Sequence, residues 1–221
     1  MVDFARVQNR IYYGYGKAAI RLGTQHAIYR TLNPINPIQA ANLVGNTFIS
    51  IDQNLKYMTP KKYGDLVWQF LPFDGLSLQD FDYMVGGTTT YFIADIAPDD
   101  RLSPPLCVEC NAVISVNRPT NAPLPAGTVP YQQYQPATSV LKVQAMPCML
   151  LQHSKIDAHN LKLPTSVKLP YFAITIPEID GLDVITGDII TDDNGRRLAV
   201  ISSELTRRTL GLRIVAVELG V

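Results

Sequence analysis

The chain has 221 residues, enough to bury a core in one or two domains. Its 19 basic and 19 acidic side chains cancel, a balance that argues against a free-standing nucleic-acid binder. Apolar runs such as Ile214–Val217 are far shorter than the roughly 20 residues that cross a bilayer, and the opening residues lack the apolar segment of a signal peptide, so a cytoplasmic site of synthesis is expected.

The first element spans Phe4 to Leu22. Gly14-x-Gly16-x-x-Ala19 has the form of a dinucleotide fingerprint, but Arg6–Arg10 is too polar for the buried strand that must precede it. Asn33–Pro37 stands where the ribose-binding acid belongs, and Ala18 replaces the hydroxyl residue that a Gly-Lys phosphate loop uses to hold magnesium. A helix fits better. Phe4, Val7, Ile11, Tyr15, Ala18 and Leu22 form one apolar stripe about 80° wide, and Arg6, Arg10, Lys17 and Arg21 form a basic stripe about 60° wide beside it. Asp3 and Arg21 suit the ends of the helix dipole, and Gly23 suits its stop. Gly14 and Gly16 each cost about 1 kcal/mol inside a helix. The spacing of Gly14 and Ala18 would offset this by admitting a partner's backbone. Two readings stand: a helix docking onto another chain through Arg6, Arg10, Tyr12, Tyr13, Gly14, Tyr15, Lys17 and Arg21, or one lying on its own domain with the basic stripe solvated.

After this docking segment (1–24), residues 25–118 read as a first β-rich module. His26–Arg30, Asn46–Ile51, Leu66–Leu71 and Thr90–Ile96 are strand-like, Leu78–Phe81 reads as a helical turn, and Leu106–Val116 as one alternating strand. The segment 119–138 holds Pro119, Pro123, Pro125 and Pro130 and reads as an extended linker or arm between modules. The second module, 139–221, resumes alternation at Ser139–Leu151. Its clearest signal is Asp193-Asn194-Gly195, a tight hairpin turn that should pair Gly187–Thr191 with Arg196–Ser202. Leu212–Leu219 is apolar on both faces and belongs inside a sheet. The stretches after Gly86 and after Gly187 look alike, as two small barrels or sandwiches would. The expected fold is therefore mainly β, of the α+β kind: an amphipathic helix, then two small antiparallel barrel or sandwich modules joined by a Pro-rich arm.

Catalytic chemistry is sparse. Cys107-x-x-Cys110 is the one metal-like pair, with Cys148, His153 and His159 as further ligand candidates. A strand would point Cys107 and Cys110 to opposite faces, so buried free thiols in a reducing compartment are expected, without metal or cofactor. Asp99-Asp100 and Asp192-Asp193 sit in turns, where Asp is favoured for backbone bonding. No nucleophile elbow exists. Low charge (17%) with eleven tyrosines and sixteen prolines suits a surface covered by other chains.

Certain residues carry a family resemblance. Arg10-Ile-Tyr-Tyr-Gly-Tyr-Gly-Lys-Ala-Ala19 with Arg21-Leu-Gly23 resembles the opening of virion proteins from the tail modules of tailed bacteriophages and prophages. So do Asp82–Gly86, Tyr91–Ala94, Pro104, Cys107–Asn111 and Arg118-Pro119. The Gly187–Arg213 pattern is similar to the small barrels of connector and tail-completion proteins. The resemblance implies a non-enzymatic structural subunit of a contractile-tailed phage. It implies a place in the baseplate against the tail tube, in several copies around a ring, made in the host cytoplasm. Neck placement between head and tail is the alternative, ahead of a zinc enzyme using Cys107, Cys110 and Cys148 or a nucleic-acid module.

Overall fold

The computed structural model describes residues 4–52, 67–72, 78–96, 105–120, 138–153, 171–204 and 210–219. Helix α1 (Phe4–Leu22) leads into β1 (Thr24–Tyr29), β2 (Leu43–Asp52), β3 (Val67–Pro72), β4 (Tyr83–Gly86), β5 (Thr89–Asp95) and β6 (Leu106–Cys110). These close into an antiparallel barrel in the order β1-β2-β3-β6-β5-β4. A second barrel follows from β7 (Ala112–Thr120), β8 (Thr138–His153), β9 (Tyr171–Ile176), β10 (Ile189–Asp192), β11 (Arg197–Glu204) and β12 (Leu212–Glu218), in the order β7-β8-β9-β12-β11-β10. The mainly β fold with one N-terminal helix is the one the sequence predicts. Closure gives every one of these strands two neighbours and so removes the open edges that flat sheets must defend. The Asn194-Gly195 turn joins β10 to β11, with Gly195 at φ 77° and Thr191 paired to Arg197.

The two barrels repeat one layout, strand for strand. Arg30, after β1, clamps the carboxylate of Asp82, the residue before β4, at 2.8 and 2.7 Å, and the Gln79 N–H donates to it at 2.9 Å. Arg118, in β7, clamps Asp188, the residue before β10, at 2.8 and 3.0 Å, and the Ile185 N–H donates to it at 2.9 Å. Backbone bonds tie Phe81 and Asp82 to Ile93 in the first barrel, and Gly187 and Asp188 to Val200 in the second. Matching irregularities interrupt β5 between Ile93 and Asp95 and β11 between Val200 and Ser202. A buried carboxylate needs charged partners, and each clamp supplies them where a strand enters its barrel. The sequence matches Gly86 to Gly187; the clamps instead place Phe81 (φ 68°) where Gly187 (φ 94°) stands.

Three further expectations change. Leu106–Val116 is two strands, because Asn111 interrupts them and turns its side chain onto β8, donating to Leu150 O at 2.9 Å and accepting from Leu150 N at 2.7 Å. The barrel boundary thus falls at Asn111, not at 118, and β7, with Pro119 in it, belongs to the second barrel. The Pro-rich stretch therefore does not join the modules. Thr120 pairs with Thr138, so the stretch connects neighbouring strands of one barrel, while 121–137 themselves lie outside the described residues. Leu78–Phe81 is irregular chain ending in a turn at Asp80-Phe81, without helix, held by Asp82.

Each barrel has its own interior: Ile28, Ile49, Phe70, Met84, Ile93 and Cys107 in the first, and Ile114, Val116, Cys148, Ile174, Leu198 and Ile214 among those in the second. A third apolar cluster lies between them, with Tyr83, Phe92 and Val108 of the first packed on Met149 and Leu210 of the second. There the fully buried Tyr83 hydroxyl donates to Pro147 O at 2.9 Å. Ile35 adds a bridge to Gln144 of β8, with backbone bonds of 2.9 and 3.1 Å.

Candidate functional site

Helix α1 meets its own barrel through its last turns. Gly16 and Ala19 are buried, and a side chain at Gly23 would strike the carbonyls of Ile49 and Ala19, so only glycine lets the helix end lie this close to β2. The expected apolar stripe is packed only in part, with Ile11, Tyr15 and Ala18 half-buried beside the buried Gly16 and Ala19. Leu22 is 77% exposed and Val7 40%, because the helix is rotated to seat its small residues on the barrel. Tyr12 and Tyr13 (64% exposed) stand in solvent with Arg6, Arg10, Lys17 and Arg21, and Tyr15 is partly covered. Lys17 Nζ sits 4.4 Å from the Tyr13 ring and Tyr12 packs edge-on to Tyr15 at 6.3 Å, so the exposed side is pre-ordered by its own contacts. Among the described residues, and apart from the helix's own backbone, nothing comes within 4 Å of a Cβ placed at Gly14. The residues proposed from sequence for docking thus share a helix, exposed in the main. Asp3 lies outside the described residues.

Beside the end of α1, the mouth of the first barrel opens as a cleft of about 230 Å³, bordered by Leu22, Gly23, His26, Trp68, Thr89 and Tyr91. Barrel mouths are common binding sites. His26 is buried, and its Nδ1–H donates to Thr24 O at 3.0 Å, so that Nε2 is an acceptor in the neutral ring. Its ring lies against Gly86, where any side chain would collide with it. The Trp68 indole N–H donates to Glu109 Oε2 at 2.8 Å, and Glu109 is paired across the strands with Tyr91. Burial holds the Tyr91 hydroxyl above its ordinary range, the Thr89 hydrogen bond opposes this, and the Glu109 charge adds to it.

The corresponding end of the second barrel carries an arginine of its own. Strand pairing sets Ile114 opposite Asp192, Leu198 opposite Glu218 and Phe172 opposite Ala216, the places that His26, Tyr91 and Trp68 hold in the first barrel. Arg196 holds the place of Thr89. Its guanidinium lies 5.2 Å from the Phe172 ring centre, and its Nε donates to Asp192 Oδ2 at 2.7 Å. Asp192 also accepts the N–H groups of Asn194 and Arg196, so this acid organises a turn and holds a plug.

The cysteines do not converge: Cys107 belongs to the first barrel's interior, Cys148 to the second's and Cys110 to the cluster between. Burial raises all three thiols well above their ordinary range. Among the described residues no group of three potential ligands meets. His153's side chain, His159 and Asp99-Asp100 lie outside the description.

Sequence reasoning missed the mouth, whose residues come from separate strands. Aligning the Gly86-Gly87 and Asn194-Gly195 turns in sequence sets Thr88, not Thr89, against Arg196, so the match of Thr89 to Arg196 emerges only from the strand pairing. Compared with protein-family models, with curated proteins and with solved structures, the chain gives no match.

Proposed function

We propose that this chain is a non-enzymatic structural subunit of a bacteriophage virion, placed in the tail at the baseplate, where α1 packs against the tail tube or neighbouring baseplate subunits. The observation that carries the assembly reading is α1 itself. A 19-residue helix is tied down at its C-terminal end and presents Val7, Tyr12, Tyr13 and Leu22 to solvent beside a basic stripe. Tyr and Arg are the residue types that anchor interfaces. The double barrel beneath it supplies a stiff body, because an apolar cluster and the Tyr83–Pro147 bond fasten its halves. The phage identity rests on the resemblance of Arg10–Gly23 and Asp82–Asn111 to tail-module proteins. Electron microscopy of virions carrying a gold-labelled copy tests the placement. Label at the distal end of the tail is expected; label confined to the head–tail junction favours the neck instead, and unlabelled virions contradict both.

A further inference from the structure

We propose that the mouth of the first barrel is a receptor for an arginine side chain presented by a neighbouring subunit. This rests on the assembly reading above.

The second barrel supplies the precedent. At the same strand positions it places its own Arg196 guanidinium over an aromatic ring, Phe172, with a carboxylate, Asp192, as counter-charge. The first barrel keeps the aromatic at that position as Trp68, the stronger cation-binding ring, and adds Tyr91. It lacks the plug, because Thr89 stands in for Arg196 and Gly86 for Asp192.

Negative charge adjoins the lining by another route. The Glu109 carboxylate is fixed at the Trp68 indole, at 2.8 Å. Helix α1 brings its C-terminal end to the rim at Leu22 and Gly23, where the partial charge is negative. The neutral His26 ring offers an acceptor nitrogen, and the buried Thr47 hydroxyl, directly across the strand pair from His26, has no partner among the described residues. Every one of these features favours a donor-rich cation. The cleft's volume of about 230 Å³ lies below the roughly 300–1,000 Å³ of pockets for drug-sized ligands, which suits one side chain. Guanidinium is preferred over ammonium because it stacks flat on Trp while donating in its own plane.

Trp68 is the only tryptophan, so its fluorescence reports this cleft alone. The probe is N-acetyl-arginine amide, with the neutral citrulline amide as control. A saturable fluorescence change is expected with the arginine probe and none with the citrulline probe. Glu109→Gln should weaken binding about tenfold, as loss of a charge-assisted contact does. Thr89→Arg, which rebuilds the second barrel's plug, should abolish it and also lower incorporation of the protein into virions. Equal responses to both probes, no response at all, or unchanged binding in both variants would overturn the cation site. Probe binding together with full incorporation of Thr89→Arg would overturn the neighbouring subunit as its source. If the protein is absent from virions yet binds the arginine probe, the assembly reading fails and the cation site stands.

Discussion

The end of the first barrel beside α1 and the matching end of the second are made from the same strand positions and differ in what fills them. In the second barrel Ile114, Leu198 and Phe172 line the end, and Arg196 closes it through Asp192. In the first, His26, Tyr91 and Trp68 line it, and Thr89 leaves it open. The shared parts are the Arg30–Asp82 and Arg118–Asp188 clamps, which fasten the chain as it enters a barrel. What a fold needs is repeated, and what varies between the copies marks the place where a further role fits.

Breaking the joint between the barrels should have the largest effect. Tyr83→Ala leaves a cavity in the shared cluster and Pro147 O without its donor, at a cost of about 4 kcal/mol. Urea unfolding followed by Trp68 fluorescence, which sees only the first barrel, and by circular dichroism, which sees both, should give coincident transitions. Separated transitions would mean that the barrels are independent bodies.

The clamps come next. Asp82→Ala and Asp188→Ala each remove a clamp's paired arginine bonds and a backbone contact, and each should cost about 3 kcal/mol in the same assay. Similar losses are expected because the clamps match; a loss in one barrel alone would break the equivalence. Asp192→Ala removes three donors' shared acceptor and frees Arg196, at about 2 kcal/mol. It has no equivalent in the first barrel, where Gly86 occupies the position.

Thiol chemistry compares the interiors directly. With burial holding Cys107 and Cys148 as thiols at neutral pH, both should react with a disulfide reagent only as fast as the barrels open. Mass mapping of the modified residues should find equal rates; a faster Cys107 would show the open-mouthed barrel to be the looser one. The smallest effect belongs to Asp183, which the Arg118 hydrogen bond holds below its ordinary value of 3.8. A lowered carboxylate stabilises the fold above its unfolded value, and the contribution fades as pH falls through the folded one. NMR titration of the Asp183 carboxyl should show this, and a normal value would remove Asp183 from the clamp.

The strands were legible where alternation is local. Arg197–Ile201 alternates plainly, Leu212–Glu218 shows itself by apolar residues on both faces, and Asn194-Gly195 dictates its hairpin. The helix was legible as a helix but not in its rotation. Leu22 lies on the apolar stripe, yet Gly16 and Ala19 face the barrel, since close approach of backbones outweighs side-chain hydrophobicity there. Asn111 hid the barrel boundary, because a residue that interrupts a strand by bonding to Leu150 looks like any polar residue in an alternating run. The mouth was not legible, because His26, Trp68, Thr89 and Tyr91 meet only when the barrel closes.

The central claim, that α1 is an attachment helix of a virion subunit, is tested most directly by Gly14→Trp. Among the described residues, and apart from the helix's own backbone, nothing lies within 4 Å of a Cβ at that position, so the barrels should fold unchanged by circular dichroism. Quantitative mass spectrometry of purified virions should then find the wild-type protein in fixed proportion to the tail subunits and the Gly14→Trp protein missing. Incorporation of the variant at the wild-type level would contradict the account.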